Sequence, residues 1–156
     1  MTNLAQPAPS LQSVAPQPAL TSFRLKRTGI RPKTFEGTEL CSAMSHETGT
    51  PFWYEVNIYR AKAGDYVVEV KFFNKKDGGR DCFKTFDAID IEDLTDRLER
   101  YDPAEDIDPE MWDIAIDGTS SAKIAIDAAR LAMLTKEAKR QWNDLVGEIL
   151  YEVSQG

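Results

Sequence analysis

The clearest order in the sequence lies between residues 54 and 73, where apolar side chains fall on every second position. Tyr54, Val56 and Ile58 alternate with Glu55, Asn57 and Tyr59, and Tyr66, Val68, Val70 and Phe72 alternate with Val67, Glu69, Lys71 and Phe73. A period of two marks strands with one face against a core. Between them, Lys62-Ala63-Gly64 makes a three-residue turn with Gly64 in the left-handed position, pairing Ala61 with Asp65. That register sets Tyr54 opposite Phe72, Val56 opposite Val70, Ile58 opposite Val68, Glu55 opposite Lys71 and Asn57 opposite Glu69. Apolar meets apolar and polar meets polar, so turn chemistry and periodicity agree on one hairpin.

Weaker patterns flank it. Phe23 and Leu25 alternate with Arg24 and Lys26 as a short edge-like strand that Gly29 and Pro32 interrupt, Thr34 to Thr38 reads as a turn, and Leu40 to Met44 as another short strand. Ser45 to Pro51 is a loop by composition. Asp77-Gly78-Gly79 turns the chain into a third strand, Asp81 to Phe86, where Cys82, Lys84 and Phe86 compete with Phe83 and Thr85 for the inner face. Asp90 caps a helix with Ile91, Leu94, Leu98 and Tyr101 on one side, and Asp102-Pro103 ends it. Asp108 to Asp117 leans to helix. After Ser120 and Ser121, Ala128, Leu131, Ala138, Trp142, Leu145, Ile149 and Val153 recur at helical spacing, with Thr135 as a candidate break. The pattern as a whole predicts an α+β domain in which an antiparallel β-meander packs one face against C-terminal helices.

Residues 1–20 stand apart, with four prolines, no charged side chain and no periodicity, and read as a disordered tail before a single domain over 21–156. An apolar fraction of 42 % over 156 residues suffices for one core. The most apolar run, Ile124 to Leu134, carries Asp127 and Arg130, so no membrane span is expected. Without a basic start and continuous apolar core at the N-terminus the chain reads as cytoplasmic, with Cys41 and Cys82 reduced.

Charge changes the picture most. Residues 87–117 hold 13 acids against Arg97 and Arg100, a balance of −11 within a net charge of −7. Residues 1–86 carry 12 basic against 8 acidic side chains, and Arg24, Lys26, Arg27, Arg31 and Lys33 all precede the first acid, Glu36. A basic arm and an acidic block therefore oppose each other along one chain.

Catalytic chemistry finds little footing. Glu69-Val70-Lys71 on a strand, with Glu55 on the strand before, superficially resembles half of the motif of PD-(D/E)xK metal-dependent nucleases, which would imply Mg²⁺ on the acids and Lys71 near the attacking water. Glu55 stands where that family uses Asp, and no helix precedes it. The expectation is a solvent-facing cross-strand pair. Asp106, Asp108, Glu110 and Asp117 have the spacing of a calcium loop, yet Met111 occupies the glycine position. His46 is the only histidine, and Cys41, five residues away, reads as a buried thiol. No enzyme activity, metal or cofactor is expected.

Two binding surfaces remain. Glu92, Asp96 and Glu99 form an acidic stripe on the helix after Asp90, extended by Asp102, Glu105 and Asp106, and suit a basic protein partner; this adaptor or inhibitor role is the first expectation. The alternative is single-stranded nucleic acid on an aromatic, basic sheet face with Arg24, Lys26, Arg27 and Lys76 at its rim. The C-terminal helix could also serve a homo-oligomer.

Overall fold

A computed structural model describes residues 19–114 and 120–155. The reading of residues 1–20 as a tail falls almost wholly outside them. Five strands form one antiparallel meander in sequence order: β1 (Thr21–Arg27), β2 (Ile30–Met44), β3 (Phe52–Ala61), β4 (Tyr66–Asn74) and β5 (Cys82–Ala88). Two helices follow, α1 (Ile91–Arg100) and α2 (Ser121–Gln155), with 3-10 turns at Pro103–Asp106 and Glu110–Trp112 between them.

The β3–β4 hairpin has the expected register, with Tyr54 on Phe72, Val56 on Val70, Ile58 on Val68, Glu55 on Lys71 and Asn57 on Glu69. Its turn closes through Gly64 N–H to Ala61 O at 2.8 Å, with Gly64 at φ +100°. In β5, Cys82, Phe86 and Ala88 pack toward the helices, which settles the third-strand register.

The segment Thr34 to Thr38 is not a turn. It lies inside the 15-residue β2, whose first half pairs with β1 and whose second half pairs with β3, Gly37 alone facing a partner on both sides. Glycine is required there for close approach: a Cβ would collide with the Arg60 carbonyl oxygen and lie 3.1 Å from Ala61 Cα. Irregularities at Leu25/Arg27 and Glu39/Cys41 add bend. The sheet consequently curls until β1 reaches β5, where Thr28 N–H donates to Phe83 O and Thr28 Oγ1 accepts from Phe83 N–H, both at 2.8 Å.

Curling gives the sheet two apolar clusters. The larger lies between sheet and helices and joins Tyr54, Val56, Ile58, Val70 and Phe72 to Leu94 and Leu98 of α1 and to Trp142, Leu145 and Ile149 of α2. The smaller, Leu25, Tyr59 and Val67 with Phe23, Phe35 and Ala61, lies inside the curl.

Asp90 caps α1 through its side chain, accepting from Asp93 N–H at 2.8 Å. Of the stretch expected as a helix over Asp108 to Asp117, the described residues 108–114 make one 3-10 turn, Glu110–Trp112, with Trp112 and Ile114 in the main core, while residues 115–117 lie outside the described residues. Helix α2 runs unbroken through Thr135 for 35 residues, about 52 Å at 1.5 Å per residue. Only its C-terminal part lies on the sheet: Ala128, expected on the buried stripe, is exposed, as are Ile124, Ile126 and Met133.

Candidate functional site

Strand alternation carries a second set of residues to the sheet face opposite the helices. At one end of that face three half-buried rings adjoin in a staggered row on neighbouring strands: Trp53 of β3 opposite Phe73 of β4, and Phe83 of β5, which pairs with Lys71 and so lies diagonal to Phe73. Trp53 and Phe73 are stacked with centroids 5.2 Å apart, and Phe83 meets Phe73 edge-on at 6.1 Å. Cations flank the row. Lys75 Nζ lies 5.5 Å from the Trp53 ring and Lys26 Nζ lies 5.0 Å from Phe83, the latter carried there by the closure of β1 on β5. His46, in the β2–β3 loop, abuts Trp53 edge-on.

Two residues further along β3 and β4 on the same face sit Glu55 and Lys71, the latter directly opposite Phe83, then Asn57 and Glu69, then Tyr59 and Val67. Glu69 was expected in solvent and is instead 4 % exposed, because β1 and β2 fold over it. Its Oε1 accepts from Tyr59 Oη at 3.0 Å and Asn57 Nδ2 at 2.9 Å, and Ser42 Oγ donates to Asn57 Oδ1 at 2.6 Å. Burial, then the neighbouring Glu69 charge, pushes the Tyr59 phenol above its ordinary range. Glu55 and Lys71 remain partly open at 28 % and 27 % exposure, with Lys71 Nζ 3.6 Å from Glu55 and 3.9 Å from Glu69.

The nuclease-like trio Glu55, Glu69 and Lys71 is thus brought together. The ammonium of Lys71 stands beside both acids, where a divalent ion would have to bridge them, and among the described residues no group of three or more His, Cys, Asp or Glu could hold a metal ion. Asp106 is sequestered on the helix side, its side chain 1 % exposed, accepting from Tyr54 Oη and Tyr101 Oη at 2.7 Å each and from Lys84 Nζ at 2.8 Å. Cys41 faces the helix-side core, its thiol pushed up to about 11, chiefly by burial, and does not share a face with His46 and Trp53.

Of the expected acidic surface, Glu92, Glu99, Asp102 and Glu105 are exposed, whereas Asp96 pairs with Arg100 along α1 and Asp106 lies beneath its tyrosines. The neighbouring Asp93 pairs with Arg97, and its carboxyl is held below the usual range first by the Ile89 N–H and then by Arg97. Of the expected basic rim, Arg24 and Lys26 are exposed on β1, and Arg27 beside them donates to Arg31 O at 2.7 Å. Lys76 is elsewhere engaged, 2.7 Å from Asp113 and 5.6 Å from the Trp112 ring.

Trp53 and Lys75 complete the ring row and were missed as a pair. The signal lay in the hairpin register, since Tyr54 opposite Phe72 places Trp53 opposite Phe73. The α1 acids lie across the sheet from this row, because Leu94 and Leu98 anchor α1 in the helix-side core. No described helix is long and apolar enough to cross a membrane. No family model matches this chain, and no curated protein or solved structure is significantly similar to it.

Proposed function

We propose that the open sheet face binds single-stranded nucleic acid, without catalysis, through Trp53, Phe73 and Phe83. The observation that carries this reading is the row of three accessible rings on adjacent strands with Lys75 and Lys26 at its two ends. Unpaired bases stack on such rings irrespective of sequence, and lysines at the rim neutralise phosphates. A balance of −11 would repel a polyanion if it lay alongside. Here the acidic helix α1 packs on the other side of the sheet, roughly a 10 Å layer away, comparable to the Debye length of about 8 Å at physiological salt.

Fluorescence anisotropy with a labelled 12-nucleotide DNA or RNA strand, at 50 and 200 mM salt, tests the proposal. Trp53→Ala or Phe73→Ala should weaken binding by about 1–3 kcal/mol. Lys26→Ala and Lys75→Ala should each flatten the logarithmic salt dependence by about 0.7. Binding that is undetectable at low salt, or unchanged when the rings are removed, defeats it.

The second reading is a basic protein partner on α1, favoured by the exposure of Glu92, Glu99, Asp102 and Glu105. Its test is capture of a protein partner by the intact chain that fails when Glu92, Asp96 and Glu99 become Gln, Asn and Gln.

A further inference from the structure

Resting on the proposed nucleic-acid face, we infer that the Glu55–Lys71 pair beside the ring row reads the edge of a stacked base and prefers guanine. The pair differs from the other partly buried lysine–carboxylate contacts of the fold; the one comparably long contact among the described residues, Lys62 to Glu36 at 3.8 Å, joins two exposed side chains. Lys33, Lys76 and Lys84 close onto Asp87, Asp113 and Asp106 at 2.9, 2.7 and 2.8 Å. Lys71 lies 3.6 and 3.9 Å from its two carboxylates, beyond hydrogen-bond length, although only 27 % of its side chain is exposed. Glu55 accepts one bond, from Asn57 Nδ2 at 3.3 Å on Oε1, and its Oε2 accepts none among the described residues. A half-buried ammonium with free N–H groups beside a carboxylate with a free oxygen is an unfilled donor–acceptor pair.

Its position gives it a ligand. Glu55 is two residues from Trp53 along β3, and Lys71 is two residues from Phe73 along β4, on the same face and directly opposite each other. The offset is about 6.6 Å along each strand, so a purine stacked over the rings carries its polar edge to the pair. Guanine places an acceptor, O6, beside two donors, N1–H and N2–H. Lys71 donates to O6, and Glu55 accepts from N1–H and N2–H together. Adenine, cytosine and thymine each offer the carboxylate one donor group at that edge. The network beneath holds the reader in place: Asn57 bonds both Glu55 and Glu69, and Tyr59 bonds Glu69.

The experiment compares 12-nucleotide thymidine strands whose two central bases are guanine, hypoxanthine, adenine or thymine, against the intact chain and Glu55→Gln. The intact chain should bind the guanine strand about tenfold more tightly than the thymine strand. Hypoxanthine, which lacks the N2 amino group, should lose most of that gain. In Glu55→Gln the four strands should converge near the affinity of the thymine strand, while circular dichroism remains that of the intact chain. Equal affinity of the intact chain for all four overturns the inference and leaves the ring face standing. Failure to bind any of the four overturns both. Guanine preference that survives in Glu55→Gln assigns the reading to another group and overturns it as well.

Discussion

The indole N–H of Trp142 donates to the backbone carbonyl of Leu98 at 2.8 Å. Leu98 is in the last turn of α1, where carbonyls have no partner within the helix. One hydrogen bond from α2 therefore satisfies the end of α1, while the same indole stacks on Tyr101 at 4.1 Å and meets Tyr54 edge-on at 5.4 Å. The two helices and the sheet meet at this side chain, which is 1 % exposed.

Removing that side chain should be felt in stability more than at the ring face. Trp142→Ala should cost about 3–5 kcal/mol, enough to unfold a large share of many domains of this size. Trp142→Phe keeps most of the packing but orphans the Leu98 carbonyl, and should cost about 1–3 kcal/mol. Urea denaturation followed by circular dichroism separates the two; a Trp142→Phe chain as stable as the parent would mean the hydrogen bond contributes nothing, and equal losses in both would mean the ring packing adds nothing beyond it.

Gly37→Ala should destabilise by about 1–3 kcal/mol or more, because the added methyl meets the backbone of Arg60 and Ala61 rather than a movable side chain. Gly147→Ala, on α2 where an added methyl meets nothing within 4 Å, should be neutral or slightly stabilising, as Ala exceeds Gly in helix propensity by about 1 kcal/mol. A pair of thermal melts checks both, and a Gly37→Ala chain as stable as the parent would contradict the close crossing of β2 over β3.

Alkaline pH should unfold the protein through its buried phenols. Burial first, and then Asp106, raises Tyr54 and Tyr101 above the ordinary tyrosine value, and burial with Glu69 raises Tyr59. In the unfolded chain these phenols ionise near pH 10, so above that pH the unfolded state loses protons that the folded state retains. Their contribution is fully present below pH about 10 and falls by about 1.4 kcal/mol per pH unit for each tyrosine above it. Absorbance at the phenolate band should show them ionising together with loss of circular dichroism. Ionisation of all tyrosines with the fold intact would refute the prediction.

Neutralising the α1 acids should barely alter nucleic-acid affinity. The triple substitution Glu92→Gln, Asp96→Asn and Glu99→Gln changes exposed side chains across the sheet from the rings, and at 150 mM salt it should shift the dissociation constant by less than about threefold. A much larger gain in affinity would show that the acidic helix competes directly with the polyanion.

The pattern along the chain was sufficient wherever structure is made by neighbours. Alternation between Tyr54 and Phe73, with a glycine at the turn, determined the β3–β4 register to the residue, and Asp90 marked the start of α1. These are local signals, since side-chain period and turn dihedrals are set within a few residues. The same signals misread Gly37, because its glycine serves a contact with Arg60, 23 positions away in the chain. They also left Glu69 in solvent, because alternation tells which residues share a face and not whether that face is later covered. Coverage came from curling, in which β1 closes on β5 through Thr28 and Phe83 and brings Lys26 to the ring row. Which side of the sheet carries the acidic helix was decided in the same way, by Leu94 and Leu98 entering the helix-side core. Sequence fixes the chemistry available on each face of a strand; closure of the sheet, a sum of contacts between residues far apart in the chain, decides which of those faces remains open.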